Sequence, residues 1–175
     1  DIWVRSPAGA ALIIKMKYEY EEDIQKLAEE ISIMLFPHVD ISNVKCFRSY
    51  GTNSRGTIAR CHGLPKVMQK ALGINAMYVL EFLTERFEKF NKEDQIKVII
   101  HELMHIPKSF GGGFKHHDFV TEKNVNLCYM EYKKGVLLKK VRVETHPFRT
   151  EMRKEPTTVE KEREEGNEKK NKNWF

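Results

Sequence analysis

Two histidines and a glutamate lie at a spacing that suits a single metal ion. His101 and His105 are four residues apart, and Glu102 follows the first of them. On an α-helix, residues i and i+4 lie on the same face, so both imidazoles can reach one zinc ion. Glu102 would then lie beside the open coordination position. This HExxH spacing predicts zinc chemistry if the segment is helical.

The types of these residues define the reaction that they can carry out. Zinc with three protein ligands keeps a fourth position for water and lowers the pKa of that water to roughly 7. A carboxylate beside it can take a proton as the water attacks a carbonyl, and can pass that proton to the leaving amine. We therefore predict a zinc peptidase with one Zn²⁺ ion, His101 and His105 as ligands and Glu102 as catalytic base and acid. The alternative is a chance match on an amphipathic helix.

The residues around the motif favour a helix of the required kind. Asn91 is a good N-cap, and the acidic residues after it lie in the first turn, where the helix dipole favours negative charge. Pro107 predicts an end at about His105 or Ile106, because the residue before a proline avoids the α region. An apolar stripe would bury one side of this helix; it consists of Ile96, Ile99, Ile100 and Leu103.

A third ligand must come from outside this helix. Residues 111–113 are all glycine, which can close turns that other residues resist, so the chain can reverse direction here. It then reaches His116, His117 and Asp118, each of which has a side chain that can bind the same metal. Glu122 is a further alternative ligand, as in gluzincins, and these alternatives could instead stabilise an oxyanion. The plainer interpretation of the adjacent histidines is a solvated surface pair.

A longer segment resembles a known family. Residues 97–117, KVIIHELMHIPKSFGGGFKHH, are similar to a metallopeptidase family found in archaea and phages, and residues 48–65 resemble its upstream block. The similarity covers residues 16 to about 132. It implies a small intracellular zincin fold with His101, His105 and His117 as zinc ligands and Glu102 as acid/base. It implies a peptide or protein substrate without identifying one.

Composition predicts one globular domain with an additional segment at each end of the chain. The chain has 175 residues, 41% of them hydrophobic, which is enough for a real core. We expect an N-terminal extension at residues 1–15, a zincin-like metallopeptidase domain at 16–144 and a charged tail at 145–175. Lys, Arg and Glu dominate the tail, so we expect it to be disordered, because it cannot bury enough apolar surface to become ordered.

Membrane association is not expected from the sequence. No apolar run approaches the ~20 residues that cross a bilayer. The chain has three cysteines, an odd number at spacings that fit no disulfide framework, which indicates a reducing compartment and a cytoplasmic protein. Cys61 beside His62 could belong to a second metal site, but a buried thiol is the better interpretation.

The remaining segments predict an α+β fold, a small zincin-like domain with a short mixed sheet packed on the metal helix. We predict helices at 21–35 and 119–132, a short helix or loop at 66–72, and strands at 44–50, 57–62, 76–83 and 136–143. After a polar turn at 51–56, the chain is expected to return as the strand at 57–62. The third either borders the cleft and pairs with an extended substrate or is an ordinary core strand.

Two alternative functions stay open at this point. The net charge is +5, and four basic residues cluster in sequence: Arg48, Arg55, Arg60 and Lys66. Mixed Lys/Glu runs are usually solvated surface and no basic motif interleaved with aromatics appears, so nucleic-acid contact is the weaker prediction. The main alternative is a non-catalytic, zinc-stabilised binding module. Four protein ligands would indicate that module, and three ligands plus water would indicate catalysis.

Overall fold

The computed structural model describes residues 2–5, 11–52 and 54–145. The elements in this part of the chain are β1 (Ile2–Arg5), β2 (Ala11–Ile14), β3 (Lys17–Tyr20), α1 (Glu22–Leu35), β4 (Val44–Tyr50), β5 (Ala59–Gly63), α2 (Lys66–Leu72), β6 (Tyr78–Leu83), α3 (Thr84–Phe87), α4 (Lys92–Met104) and α5 (Glu122–Thr145). A short 3₁₀ turn at Ile41–Asn43 precedes β4. The segment at 66–72, predicted as a short helix or loop, is helical.

Four of the strands form one mixed sheet in the order β3-β4-β6-β5. β3 is antiparallel to β4, β4 is parallel to β6, and β5 is antiparallel to β6. Parallel neighbours need a long connection, and here the chain between β4 and β6 contains β5 and α2. The predicted α+β class, with a short mixed sheet in a small zincin-like domain, is confirmed.

The pairing of two strands differs from what the sequence suggested. β5 does not return against β4; it pairs with β6, from Ala59 opposite Phe82 to Gly63 opposite Tyr78. β6 lies between β4 and β5, so both of its edges are paired and it cannot add a substrate strand. Of the two predicted roles for this strand, substrate pairing and ordinary core strand, the structure shows the second. Its side chains Tyr78, Leu80 and Phe82 are fully buried. The edge strand of the described sheet on this side is β5.

The hydrophobic core lies between one face of the sheet and helices α1 and α4. It includes Ile24, Ala28 and Ile31 of α1, Val44 and Cys46 of β4, Leu80 and Phe82 of β6, and Ile99, Ile100 and Leu103 of α4. Gln25, buried on α1, connects that helix to β4. Its side chain donates to the carbonyl of Val44 at 3.1 Å and accepts from the N–H of Cys46 at 2.9 Å. Helix α4 packs against α1 and against β5.

Helix α5 is longer than predicted. A helix was expected to end near Tyr132 and a strand to follow at 136–143, but one helix runs from Glu122 to Thr145. Gly135 does not end it, because a single glycine costs only about 1 kcal/mol relative to alanine and good helix formers lie on both sides. The described residues up to Lys133 belong to one compact unit, and those from Lys134 belong to a second.

The ends of the chain contain one unpredicted element. β1 and β2 form a separate antiparallel ribbon that pairs Ile2 with Ile14, inside the predicted extension. The predicted charged tail, from residue 146 onward, lies outside the described residues. None of the described helices is both long and apolar enough to cross a membrane. All three cysteines are free thiols.

Candidate metal centre

Helix α4 forms where the local signals predict it. The side-chain oxygen of Asn91 accepts from the N–H of Asp94 at 2.9 Å and caps the first turn. Three residues on its inner side are fully buried: Ile99, Ile100 and Leu103. His101 and His105 are half-buried on the side that lines a cleft. His105 is the C-cap residue, in agreement with the predicted end of the helix.

The two helical histidines converge on one point. Their Nε2 atoms are 3.2 Å apart and their ring centroids are 4.9 Å apart. Two Zn–N bonds of about 2.05 Å at a tetrahedral angle place the two nitrogens roughly 3.3 Å from each other. The pair therefore has the separation that a shared zinc ion requires.

His117 joins this pair from the segment after the three glycines. Its ring centroid is 4.8 Å from that of His105 and 5.4 Å from that of His101. One ligand atom from each of the three side chains lies within 4.8 Å of the others. In the described part of the chain, these three residues are the one group of His, Cys, Asp or Glu side chains with the proximity of metal ligands. The donor set of three imidazoles fits zinc.

Backbone contacts orient the ring of His105. The N–H of Lys115 donates to the carbonyl of His105 at 2.8 Å, and Nδ1 of His105 donates to the carbonyl of Lys115 at 2.7 Å. A ring that carries its proton on Nδ1 has its lone pair on Nε2, the atom that faces His101. A carbonyl in this position fixes the tautomer of a metal ligand and raises its basicity.

Glu102 is more deeply buried than its histidine neighbours, with 6% of its surface exposed. Burial raises the pKa of Glu102 to about 7, while a hydrogen bond from the backbone N–H of Cys61 acts in the opposite direction. Cys61 belongs to β5, so the carboxylate lies between α4 and the edge strand. A carboxyl group with a pKa near neutrality can both take up and return a proton.

Burial has the opposite effect on the two helical histidines. It lowers the pKa of His101 to about 4, with further contributions from His105 and His117. It also lowers the pKa of His105, although the hydrogen bond to Lys115 acts in the other direction. Both rings are therefore mainly neutral at pH 7, and the neutral imidazole is the form that binds a metal.

The alternative ligands do not join this group. His116 and Glu122 line the cleft, and Asp118 is exposed. The carbonyl of His116 accepts from the N–H groups of Phe119 and Val120, both at 3.1 Å, so its backbone turns the chain into the segment before α5. Of the two adjacent histidines, His117 is the one that the fold brings to the helical pair.

The three histidines line a cleft of about 1110 Å³ between β5, α4 and the first turns of α5. This volume is at or above the upper end for small-molecule sites, which suits an extended ligand. Its apolar lining includes Ile58 and Ala59 beside β6, Val98 on α4 and Val125 on α5. Residues of β5 and of the segment just before it therefore form one wall of the cleft.

Several cleft residues were not indicated by the sequence. Ile58, Ala59 and Cys61 line the cleft because β5 is an edge strand, and strand order is not a local property. Val98 could have been found, because it lies three residues before His101 and therefore on a neighbouring part of the same helix face. Phe90, just before α4, also lines the cleft.

Two of the four clustered basic residues are paired with acids. Arg48 contacts Glu21 and Glu88, both through nitrogen–oxygen distances below 3 Å, at 2.8 and 2.7 Å. Arg60 contacts the buried Glu81 at 3.3 Å. These pairs reduce the positive charge that the sequence cluster suggested, so nucleic-acid contact stays the weaker prediction.

Comparison with known proteins gives one match. A model of the family described as putative phage metallopeptidase matches residues 16–141, most of the chain. The matched range contains Glu102 and all three grouped histidines. No curated protein and no solved structure shows a significant match to the chain.

Proposed function

Because this chain belongs to the phage metallopeptidase family, we propose that it is a zinc-dependent peptidase with Glu102 as its general base and acid. The observation that carries the proposal is the buried Glu102 carboxyl next to three converging imidazoles in one cleft. The family name supports a metal-dependent peptidase.

The zinc ligands in this proposal are His101, His105 and His117. The 3.2 Å separation of the first two Nε2 atoms and the tautomer of His105 support zinc. A bound zinc ion supplies a Lewis acid that acidifies water at its open position and polarises a carbonyl. Three protein ligands among the described residues leave such a position, whereas a structural zinc site has four.

Glu102 performs the proton transfers. Its carboxylate takes a proton from the attacking water and donates that proton to the leaving amine. The raised pKa supports both steps, because a group with a pKa near 7 changes its protonation state at little cost at neutral pH. The N–H of Cys61 keeps the carboxylate oriented beside β5.

The register of β5 supports an extended peptide as the substrate. The N–H of Leu83 donates to the carbonyl of Ile58, and the N–H of Leu64 donates to the carbonyl of Met77, both at 2.9 Å. Hydrogen-bonded pairs alternate along an antiparallel ladder, so the residues between them point their backbone groups away from β6. Those residues are Ala59, Cys61 and Gly63; the N–H of Cys61 already donates to Glu102, so a substrate would use the remaining backbone groups. A peptide can add a strand to an exposed edge of this kind.

The test is the substitution Glu102→Gln in zinc-loaded protein. It should keep the metal and the fold and lower turnover by roughly two to four orders of magnitude. Glu122→Gln is the matched control, since it makes the same change in a cleft residue outside the histidine group. Substrates are found by incubating the protein with denatured proteins and identifying the products by mass spectrometry.

Two results would contradict the proposal. Cleavage by Glu102→Gln at the parental rate would exclude the assigned role of this residue. Zinc held by four protein side chains, with no cleavage of any denatured protein, would instead support the non-catalytic binding module.

A further inference from the structure

Tyr78 connects the core of the sheet to the glycine loop, residues 111–113. Its side chain is fully buried on β6. The phenol oxygen accepts from the N–H of Gly112 at 2.8 Å and donates to the carbonyl of Gly113 at 2.9 Å. Burial raises the pKa of Tyr78, so the phenol stays protonated and able to donate at neutral pH. One hydroxyl group thus holds two consecutive loop residues.

Gln69 holds the same loop from a second direction. Its Nε2 donates to the carbonyl of Leu64 at 2.7 Å and to the carbonyl of Gly111 at 3.1 Å. No residue of α2, the short helix that carries Gln69, is buried. Both of these hydrogen bonds go to backbone carbonyls, one just after β5 and one in the loop.

Aromatic residues on both sides of the loop enclose the Tyr78 ring. The ring of Phe110 lies 4.9 Å from it and that of Phe114 lies 6.3 Å from it, between centroids. Phe110 also has a positive φ of 42°, which is unfavourable for a residue with a side chain. The loop is thus kept in a specific conformation, and free movement of its ends is restricted.

The chain that leaves this loop carries the metal-facing groups. Lys115, two residues after Gly113, exchanges two hydrogen bonds with His105, and His117 follows two residues later. We infer that Tyr78 and Gln69 are positioning residues for the metal centre, because they place the segment 115–117 so that Lys115 orients His105 and His117 reaches the helical pair. This inference rests on the proposed zinc site.

The test is Tyr78→Phe, which keeps the buried ring and removes both hydrogen bonds. Zinc affinity, measured by competition with a chromophoric chelator, should fall by roughly 10- to 100-fold, the usual effect of removing a group that orients a ligand. The absorption spectrum of the Co²⁺-loaded protein should change as well. Gln69→Leu, on an exposed helix, should lower zinc affinity in the same direction. Tyr132→Phe is the control, because it removes a hydroxyl group that contacts Glu30 and not the loop.

The outcomes separate a positioning role from a purely structural one. If Tyr78→Phe lowers the thermal stability of the metal-free protein but leaves zinc affinity and the Co²⁺ spectrum unchanged, the inference is overturned and the proposed function stands. If the parent protein binds no zinc, both the inference and the proposed function are overturned. Hydrogen exchange of the Gly112 amide should become faster in Tyr78→Phe, and that readout needs no metal.

Discussion

Replacing Gly112 with alanine should weaken zinc binding strongly while the protein stays folded. Gly112 has a φ of 85°, a left-handed conformation that costs a residue with a Cβ roughly 1–2 kcal/mol. A Cβ at this position would also overlap the carbonyl oxygen of Leu64 and lie 2.6 Å from Nε2 of Gln69. The Leu64 oxygen belongs to the backbone at the end of β5 and has little freedom to move. The loop itself must therefore shift.

The size of the effect follows from the contacts that the loop would lose. Three hydrogen bonds attach residues 111–113 to Tyr78 and Gln69. At about 1 kcal/mol each, their loss lowers the free energy of unfolding by about 3 kcal/mol. Keeping the loop in place against a backbone atom would cost more than that. The protein should therefore stay folded with a detached loop, and zinc affinity should fall by on the order of 100-fold or more because His117 no longer reaches the helical pair.

Gly113→Ala is the matched control for this experiment. A Cβ on Gly113 meets nothing within 4 Å, and its φ is not positive. Urea unfolding of the metal-free proteins and chelator competition should show parental behaviour for Gly113→Ala and the two predicted losses for Gly112→Ala. Parental zinc affinity in Gly112→Ala would refute the idea that the loop determines the position of the third ligand.

Three further predictions address single parts of the structure. His117→Ala should lose much more zinc than His116→Ala in metal analysis, and equal retention would contradict the three-histidine site. Burial acts to raise the pKa of Glu81, but His62 and Arg60 contribute to a net value below the ordinary 4.5. The Glu81 carboxylate therefore stabilises the fold above pH 4.5, and this stabilisation is lost as the pH falls through its lower pKa in the folded protein. In urea unfolding, the free energies of unfolding of the parent and of Glu81→Gln should therefore differ at pH 7 and converge in acid. A chain trimmed to residues 16–144 should bind zinc and unfold within about 1 kcal/mol of the parent, and loss of the metal would contradict the predicted domain limits.

Helix α4 was predictable because its signals are local. An Asn N-cap, acids in the first turn, a stripe of apolar residues and a following proline all act within one or two turns. The i, i+4 spacing of His101 and His105 then determines their proximity without reference to the rest of the fold. The same local reasoning found α1 and β4 with nearly the observed limits.

The strand order was not predictable in this way. A polar turn after β4 suggested that the chain returns beside that strand, but β5 pairs with β6, which comes later in the chain. Both alternatives bury similar residues, so the pattern of apolar residues does not distinguish them. The prediction of a strand at 136–143 was wrong for a related reason. The apolar residues there fit a helix as well as a strand, and α5 begins at Glu122, so that extending it is easier than starting a new element. These residues are Val136, Leu137, Leu138 and Val141.

The third proposed ligand, His117, depends both on local sequence signals and on the tertiary fold. The sequence shows that a flexible glycine segment precedes His116 and His117, but it does not show which of the two reaches the metal. We attribute that choice to Tyr78 and Gln69, which hold the glycine loop and belong to elements that precede α4 in the chain. His101 and His105 need only one helix, whereas His117 needs the folded sheet. In the proposed site, zinc would bind the native arrangement and not a detached loop, so its affinity and the stability of the fold would be linked, and the metal would stabilise the tertiary contacts that create its own site.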